Sequence, residues 1–185
     1  MKKICIVFML TFILFGCSNE VQETNVTESI SLEEQITKVM SENGLNNEEI
    51  IDYDIKDNFI YVIFKNKHEY SDNHNPDLVI LKNSNGKLEW IAGPDDRTLS
   101  IGFGEVSALI FGRDQGSSVT ILLPNAISPE EDTNVKVVKV LGEPAKAVTY
   151  IREFADYFSK QYMYWIAYTE EEPTPEDFEI IMWNE

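Results

Sequence analysis

Ile51-Asp52-Tyr53-Asp54-Ile55-Lys56-Asp57-Asn58-Phe59-Ile60-Tyr61-Val62-Ile63-Phe64 is the stretch that decides the fold. Ile51, Tyr53 and Ile55 alternate with Asp52, Asp54 and Lys56, the period of two that places successive side chains on opposite faces of a strand. Asp57-Asn58 supplies a turn, and Phe59 to Phe64 is a run of β-branched and aromatic residues. The stretch predicts a β-hairpin.

Working outward, Leu78 to Leu81 is apolar on both faces of a strand. Asn83 to Lys87 contains the turn pair Asn85-Gly86, and Leu88 to Ala92 returns with Trp90 in it. A four-stranded antiparallel meander results. Before it, Ser31-Leu32-Glu33-Glu34 is a capping box, and Leu32, Ile36, Val39 and Met40 form one apolar stripe, with Gly44 placed to end the helix in a left-handed conformation. Residues 31–93 therefore read as a helix plus a meander.

After Gly93-Pro94-Asp95-Asp96 the chain is strand-like almost throughout, over 99–103, 106–111, 119–123, 135–141, 147–151, 162–168 and 178–183. Glycine and proline fill the intervals between these runs. Ala145 to Ser159 has the Ala, Glu and Arg content of a helix, but Ala147-Val148-Thr149-Tyr150-Ile151 is β-branched and aromatic and favours strand and turn. The fold class is mainly β within α+β: one N-terminal helix, a four-stranded antiparallel meander, then an antiparallel β-sandwich over 94–185.

The N-terminal residues bear on location rather than fold. Lys2 and Lys3 precede an apolar run of about a dozen residues from Ile4 to Phe15, within the ~7 to 15 of a secretory signal. As a helix it reaches about 18 Å, short of the ~30 Å hydrocarbon core. It predicts an export signal over 1–16. Ser18 to Ser29 is polar, aperiodic and free of aromatic residues, so 17–30 reads as a flexible tether.

Leu14-Phe15-Gly16-Cys17 resembles the lipobox of bacterial lipoproteins. That resemblance implies cleavage between Gly16 and Cys17 and a diacylglyceryl group on the Cys17 thiol, with Phe15 where the family usually has a smaller residue. Two acyl chains hold a protein stably to a bilayer where one does so only marginally. The expected location is the extracytoplasmic side of the cell membrane, with the membrane as a partner through Cys17.

A wider resemblance runs along the mature chain, through Asn58 to Phe64, Leu81-Lys82, Trp90-Ile91-Ala92-Gly93, Phe103-Gly104-Glu105-Val106 and Tyr162 to Tyr168. In this order the segments resemble those of uncharacterised lipoproteins of Gram-positive spore-forming bacteria. That family brings no established activity, and Glu89 stands where it often has a glycine before the tryptophan.

Composition sets the remaining bounds. The chain has 185 residues, 43% of them hydrophobic and 11% aromatic, enough for one core or two small sharing units. Cys5 falls in the signal and Cys17 is taken by lipid, so the mature chain has no thiol for a disulfide or a thiolate metal site. There are 15 Lys+Arg against 32 Asp+Glu. Removing 1–16 takes away Lys2 and Lys3 and no acid, so the net charge moves from −17 to −19. Such a surface repels nucleic acid, which is excluded as a partner, and also anionic headgroups.

No Gly-x-Ser-x-Gly, His-Glu-x-x-His or phosphate-loop motif is present, and an enzyme is not expected. No catalytic residue and no cofactor is assigned. The stretch from His68 to Asp77 is the densest set of metal-ligand types: His68 and His74 with Asp72 or Asp77 could meet Zn²⁺, and its Asp and Asn oxygens could suit Ca²⁺. The spacing matches no loop motif, the same residues serve a solvated turn, and no metal site is assigned. Gly102-Phe103-Gly104 precedes a strand rather than a helix and reads as a bulge or close strand crossing, not a phosphate cradle.

On the last long run Tyr162, Tyr164, Ile166 and Tyr168 share one face while Met163, Trp165 and Ala167 share the other. Burial of both faces is the expected pattern, with Trp165 in the core. An aromatic platform built from Tyr162, Tyr164 and Tyr168 is the candidate binding surface for an envelope protein or glycan. Three functional classes stay open: a non-enzymatic binding module of the envelope, a hydrolase using paired carboxylates, and a cation-binding accessory protein.

Overall fold

The computed structural model describes residues 30–46, 48–67, 74–103, 106–111, 118–124, 135–155 and 158–183. Helix α1 (Leu32–Glu42) starts where the capping box places it: Glu34 N–H donates to Ser31 Oγ at 3.2 Å, and Ser31 N–H donates to Glu34 Oε2 at 2.8 Å. Gly44, at φ +89°, turns the chain out of the helix. Ile36 and Met40 are buried on the stripe, and Leu32 and Val39 pack beside them.

Strands β1 (Glu49–Lys56), β2 (Phe59–Lys67), β3 (His74–Ser84) and β4 (Lys87–Ala92) form an antiparallel meander in sequence order. Asn85 and Gly86 both take positive φ, 57° and 84°, as a two-residue turn matched to strand twist requires. Both faces of the meander are covered, which explains why β2 and β3 are apolar at every position of their centres. Ile60, Val62, Phe64, Val79 and Leu81 meet α1, while Tyr61, Ile63, Leu78 and Ile80 turn the other way. Gly93 is required because a Cβ there would stand 2.2 Å from Trp90 Cζ2.

The second half supplies β5 (Arg97–Phe103), β6 (Val106–Phe111), β7 (Ser118–Pro124), β8 (Val135–Val140), β9 (Glu143–Pro144), β10 (Lys146–Ala155), β11 (Phe158–Thr169) and β12 (Phe178–Met182). They make a five-stranded sheet, β10-β11-β7-β6-β5, and a three-stranded sheet, β12-β8-β9, antiparallel throughout. The five-stranded sheet lies between the other two. Phe111, Val119, Ile121, Tyr162, Tyr164 and Ile166 pack on the meander, while Val106, Ala108, Leu122, Trp165 and Ala167 pack on Val135, Val138 and Val140. Helix, meander, central sheet and small sheet thus form four layers within Ser31–Glu185, which clusters as one unit.

Residues 146–155 are strand, as the β-branched run favours. Three details differ from the sequence reading. Strand β3 begins at His74 rather than Leu78, with Asp77 turned inward to an ion pair with Arg97 that fastens the meander to the start of β5. The short strand β9 falls on Glu143-Pro144, where the sequence reads as a turn. Gly102 is neither bulge nor close crossing: it pairs regularly with Ser107, and a Cβ on it would meet nothing within 4 Å.

Candidate functional site

The site arises from one extra residue in β1. Ile50 pairs with Phe64 and Asp52 with Ile63, so Ile51 is a bulge that resets which face each later side chain takes. Asp52, Asp54 and Lys56 then stand opposite Ile63, Tyr61 and Phe59, and directly paired residues share a face. That face looks at the central sheet. Tyr53 shares the helix face, and Ile55 is 57% exposed.

Across the gap, Lys146 on β10 pairs with Ile166 and points back at the meander. Its Nζ donates to Asp52 Oδ2 at 3.1 Å and to Asp54 Oδ1 at 2.7 Å, joining the edges of two sheets. The Tyr168 hydroxyl on β11 donates to Asp54 Oδ2 at 2.8 Å. Lys56 Nζ stands 4.2 Å from the Tyr168 ring centroid, and Tyr61 meets the same ring edge-on at 4.9 Å. Asp54, Lys56, Lys146 and Tyr168 border a cleft of about 420 Å³ that Val140, Glu143 and Pro144 line on its third side. All three sheets meet there.

The charges of this cluster hold one another in place. Burial pulls the Asp54 carboxyl upward, but the Lys146 ammonium and the Tyr168 hydroxyl outweigh it and leave Asp54 below the ordinary carboxylate range. Desolvation opposes the Lys146 ammonium, yet bonds to Asp54 and Asp52 raise its pKa above the usual lysine value. Tyr168 is pushed up by burial first and by the Asp54 carboxylate second. Around neutral pH this is an ionised aspartate held by a protonated lysine and a neutral phenol.

The aromatic row of β11 is divided by depth. Tyr164 is fully buried and Tyr162 is 8% exposed, both packed against the meander, so neither offers a face to a partner. Tyr168 reaches the cleft. Trp165 is 1% exposed on the opposite face, in the core with the small sheet, where sequence alternation puts it. Of the metal-ligand types, His68 and Asp72 lie outside the described residues, as does the His74 side chain, and Asp77 is committed to Arg97, Asn66 and the Leu78 N–H. Among the described residues no three His, Cys, Asp or Glu side chains converge as a metal site would need. Gly16 and Cys17 also lie outside the described residues.

Asp52, Asp54, Lys56, Glu143 and Lys146 were not singled out from sequence. Their signal is the charged half of the β1 alternation, which by itself reads as a solvent face. In comparisons with known proteins, no family model, no curated protein and no solved structure matches this chain.

Proposed function

We propose that the protein is a non-enzymatic interaction module of the cell envelope, anchored through lipid on Cys17 at the extracytoplasmic side of the membrane. Its partner is an envelope protein or glycan that docks at the three-sheet cleft. The observation that supports this most is the protonation pattern of the Asp54, Lys146 and Tyr168 cluster. General acid–base catalysis is best served by groups that titrate near the working pH, and a glycosidase pair needs one carboxyl held protonated. Here Asp54 is driven towards its charged form and Lys146 and Tyr168 towards their protonated forms, each away from neutrality. The arrangement favours holding a partner over turning one over.

The test is photocrosslinking in intact cells from position 55, which is exposed at the cleft rim. A discrete adduct, lost when Lys146→Ala opens the cluster and formed without turnover, is the expected outcome. Hydrolysis of envelope material by the purified protein, abolished by Asp54→Asn, would replace this reading with the hydrolase.

A further inference from the structure

Strands β10 and β11 run side by side only as far as the pair Lys146 and Ile166. Before Lys146 the chain belongs to the small sheet: Ala145 N–H donates to Val138 O at 2.9 Å, and Pro144 pairs with Lys139. Strand β11 continues alone past that point. Ala167, Tyr168 and Thr169 pair with Thr120, Val119 and Ser118 of β7 on one side, and among the described residues no strand pairs with them on the other. Successive residues of an antiparallel strand direct their N–H and C=O groups alternately to the two neighbours, so part of this main chain faces the space that β10 has left. That space is the three-sheet cleft, which Ala167, Tyr168 and Thr169 line.

The cleft also holds a cation that no carboxylate neutralises. Asp52 and Asp54 are both bonded to Lys146, whereas Lys56 Nζ rests over the Tyr168 ring and makes no hydrogen bond or ion pair with the described residues. The N–H groups it turns away from the ring suit an anion, and Glu143 on the small-sheet side disfavours a second acid in the same ligand. Ile55, Val140 and Pro144 supply aliphatic walls. Tyr168 is already engaged by Lys56, Tyr61 and Asp54, so the walls suit an apolar side chain better than a stacked sugar. The volume of about 420 Å³ is near the lower end of the ~300 to 1,000 Å³ of ligand clefts, and three residues of strand span about 10 Å. The occupant is short.

We propose that the cleft receives the last two or three residues of a peptide with a free C-terminal carboxylate, extended along Ala167 to Thr169 of β11. The carboxylate meets Lys56, and an apolar side chain lies against Ile55, Val140 and Pro144. Main-chain bonds to a strand supply affinity in this mode, while the captured carboxylate and the pocket for a side chain supply choice. The inference rests on the reading of the chain as an interaction module and narrows its partner from a protein or glycan to a polypeptide end.

The experiment screens N-acetylated tripeptides with free carboxyl ends against the detergent-solubilised full chain and measures the strongest binder by calorimetry. The expected binder ends in an apolar residue and slows amide exchange within 167–169 by about tenfold. Amidation of its C-terminus weakens binding by about tenfold or more, as does Lys56→Met, while Lys56→Arg keeps binding within about threefold because the charge is retained. Circular dichroism of Lys56→Met should match the parent, since Lys56 is exposed. Absence of any binder tighter than millimolar, equal binding of the amidated peptide, unchanged binding by Lys56→Met, or protection elsewhere each overturns the proposal. Binding of envelope oligosaccharides in place of peptides, or a cellular adduct from position 55 that persists in Lys56→Met, leaves the interaction-module reading standing and removes the peptide end from it.

Discussion

Trp165→Ala tests whether the long aromatic strand serves the core or a partner. The indole is 1% exposed, with Ala147 and Leu122 beside it in the ladder and Val138, Val140 and Phe178 in the layer it faces. Truncation removes on the order of 200 Å² of buried surface, which at about 25 cal/mol per Å² comes to about 5 kcal/mol. A compact unfolded chain already hides part of that area and brings the figure to roughly 3 to 4.5 kcal/mol, inside the range of large-to-small aromatic substitutions. Against the ~5 to 15 kcal/mol that holds a domain together, the variant should lose about 10 °C or more in Tm. Urea titration followed by far-ultraviolet circular dichroism measures it, since Trp90 and Trp183 complicate a fluorescence readout. Trp165→Phe, which keeps most of the volume, should recover more than half of the loss. If Trp165→Ala melts like the parent, the four-layer packing around β11 is wrong.

Asp54→Asn should flatten the acid limb of stability. The folded pKa of Asp54 is lowered, so its contribution is complete above the unfolded value near 3.9 and lost as pH falls through the folded one. Parent and variant should differ at pH 7 and draw together as the pH falls below the unfolded value and through the lowered folded one, and parallel curves from denaturant titrations at each pH would refute this. Leu141, at φ +53° beside Gly142 at φ +82°, occupies a left-handed position costly for a residue with a Cβ. Leu141→Gly keeps the N–H that donates to Asp177 O at 2.9 Å and should gain about 0.5 to 1 kcal/mol in urea unfolding. A loss would mean that the Leu141 side chain holds the turn. Thr120 is fully buried with no hydrogen-bond partner for its hydroxyl among the described residues, so Thr120→Val should gain about 1 kcal/mol by calorimetry. Cys17→Ala should abolish incorporation of a palmitate analogue and release the protein in a salt wash; a parent protein that itself takes no label would end the lipoprotein reading.

Much of the architecture was legible because its signals are local. The Ser31 to Glu34 box, the Asn85-Gly86 turn and the period-two runs each act through a few neighbouring residues, and each element appears where they place it. Strand β9 and the first residues of β3 were hidden for a related reason. Glu143-Pro144 and His74-Asn75-Pro76 are turn residues by composition, and only pairing with Lys139 and Val140, or with Lys67 to Lys65, makes them strand. Tertiary pairing overrode local preference there.

The candidate site was hidden by a subtler cause. Alternation in β1 separates Ile51, Tyr53 and Ile55 from Asp52, Asp54 and Lys56, and a strand at the edge of a sheet is expected to give its charged side to water. The apolar runs of β2, β3 and β11 already imply sheets covered on both sides, and in such a stack neither face of β1 is simply outside. With Ile51 bulged, the charged face is the one directed at the central sheet, where an uncompensated carboxylate would be costly. Compensation comes from 92 residues further on in Lys146 and 114 further on in Tyr168, which no spacing rule connects to Asp54. A charged alternation beside doubly apolar neighbours is therefore a reason to seek a distant basic residue that also faces inward. In this chain Lys146, directly before the apolar Ala147 to Ile151 run, has that character.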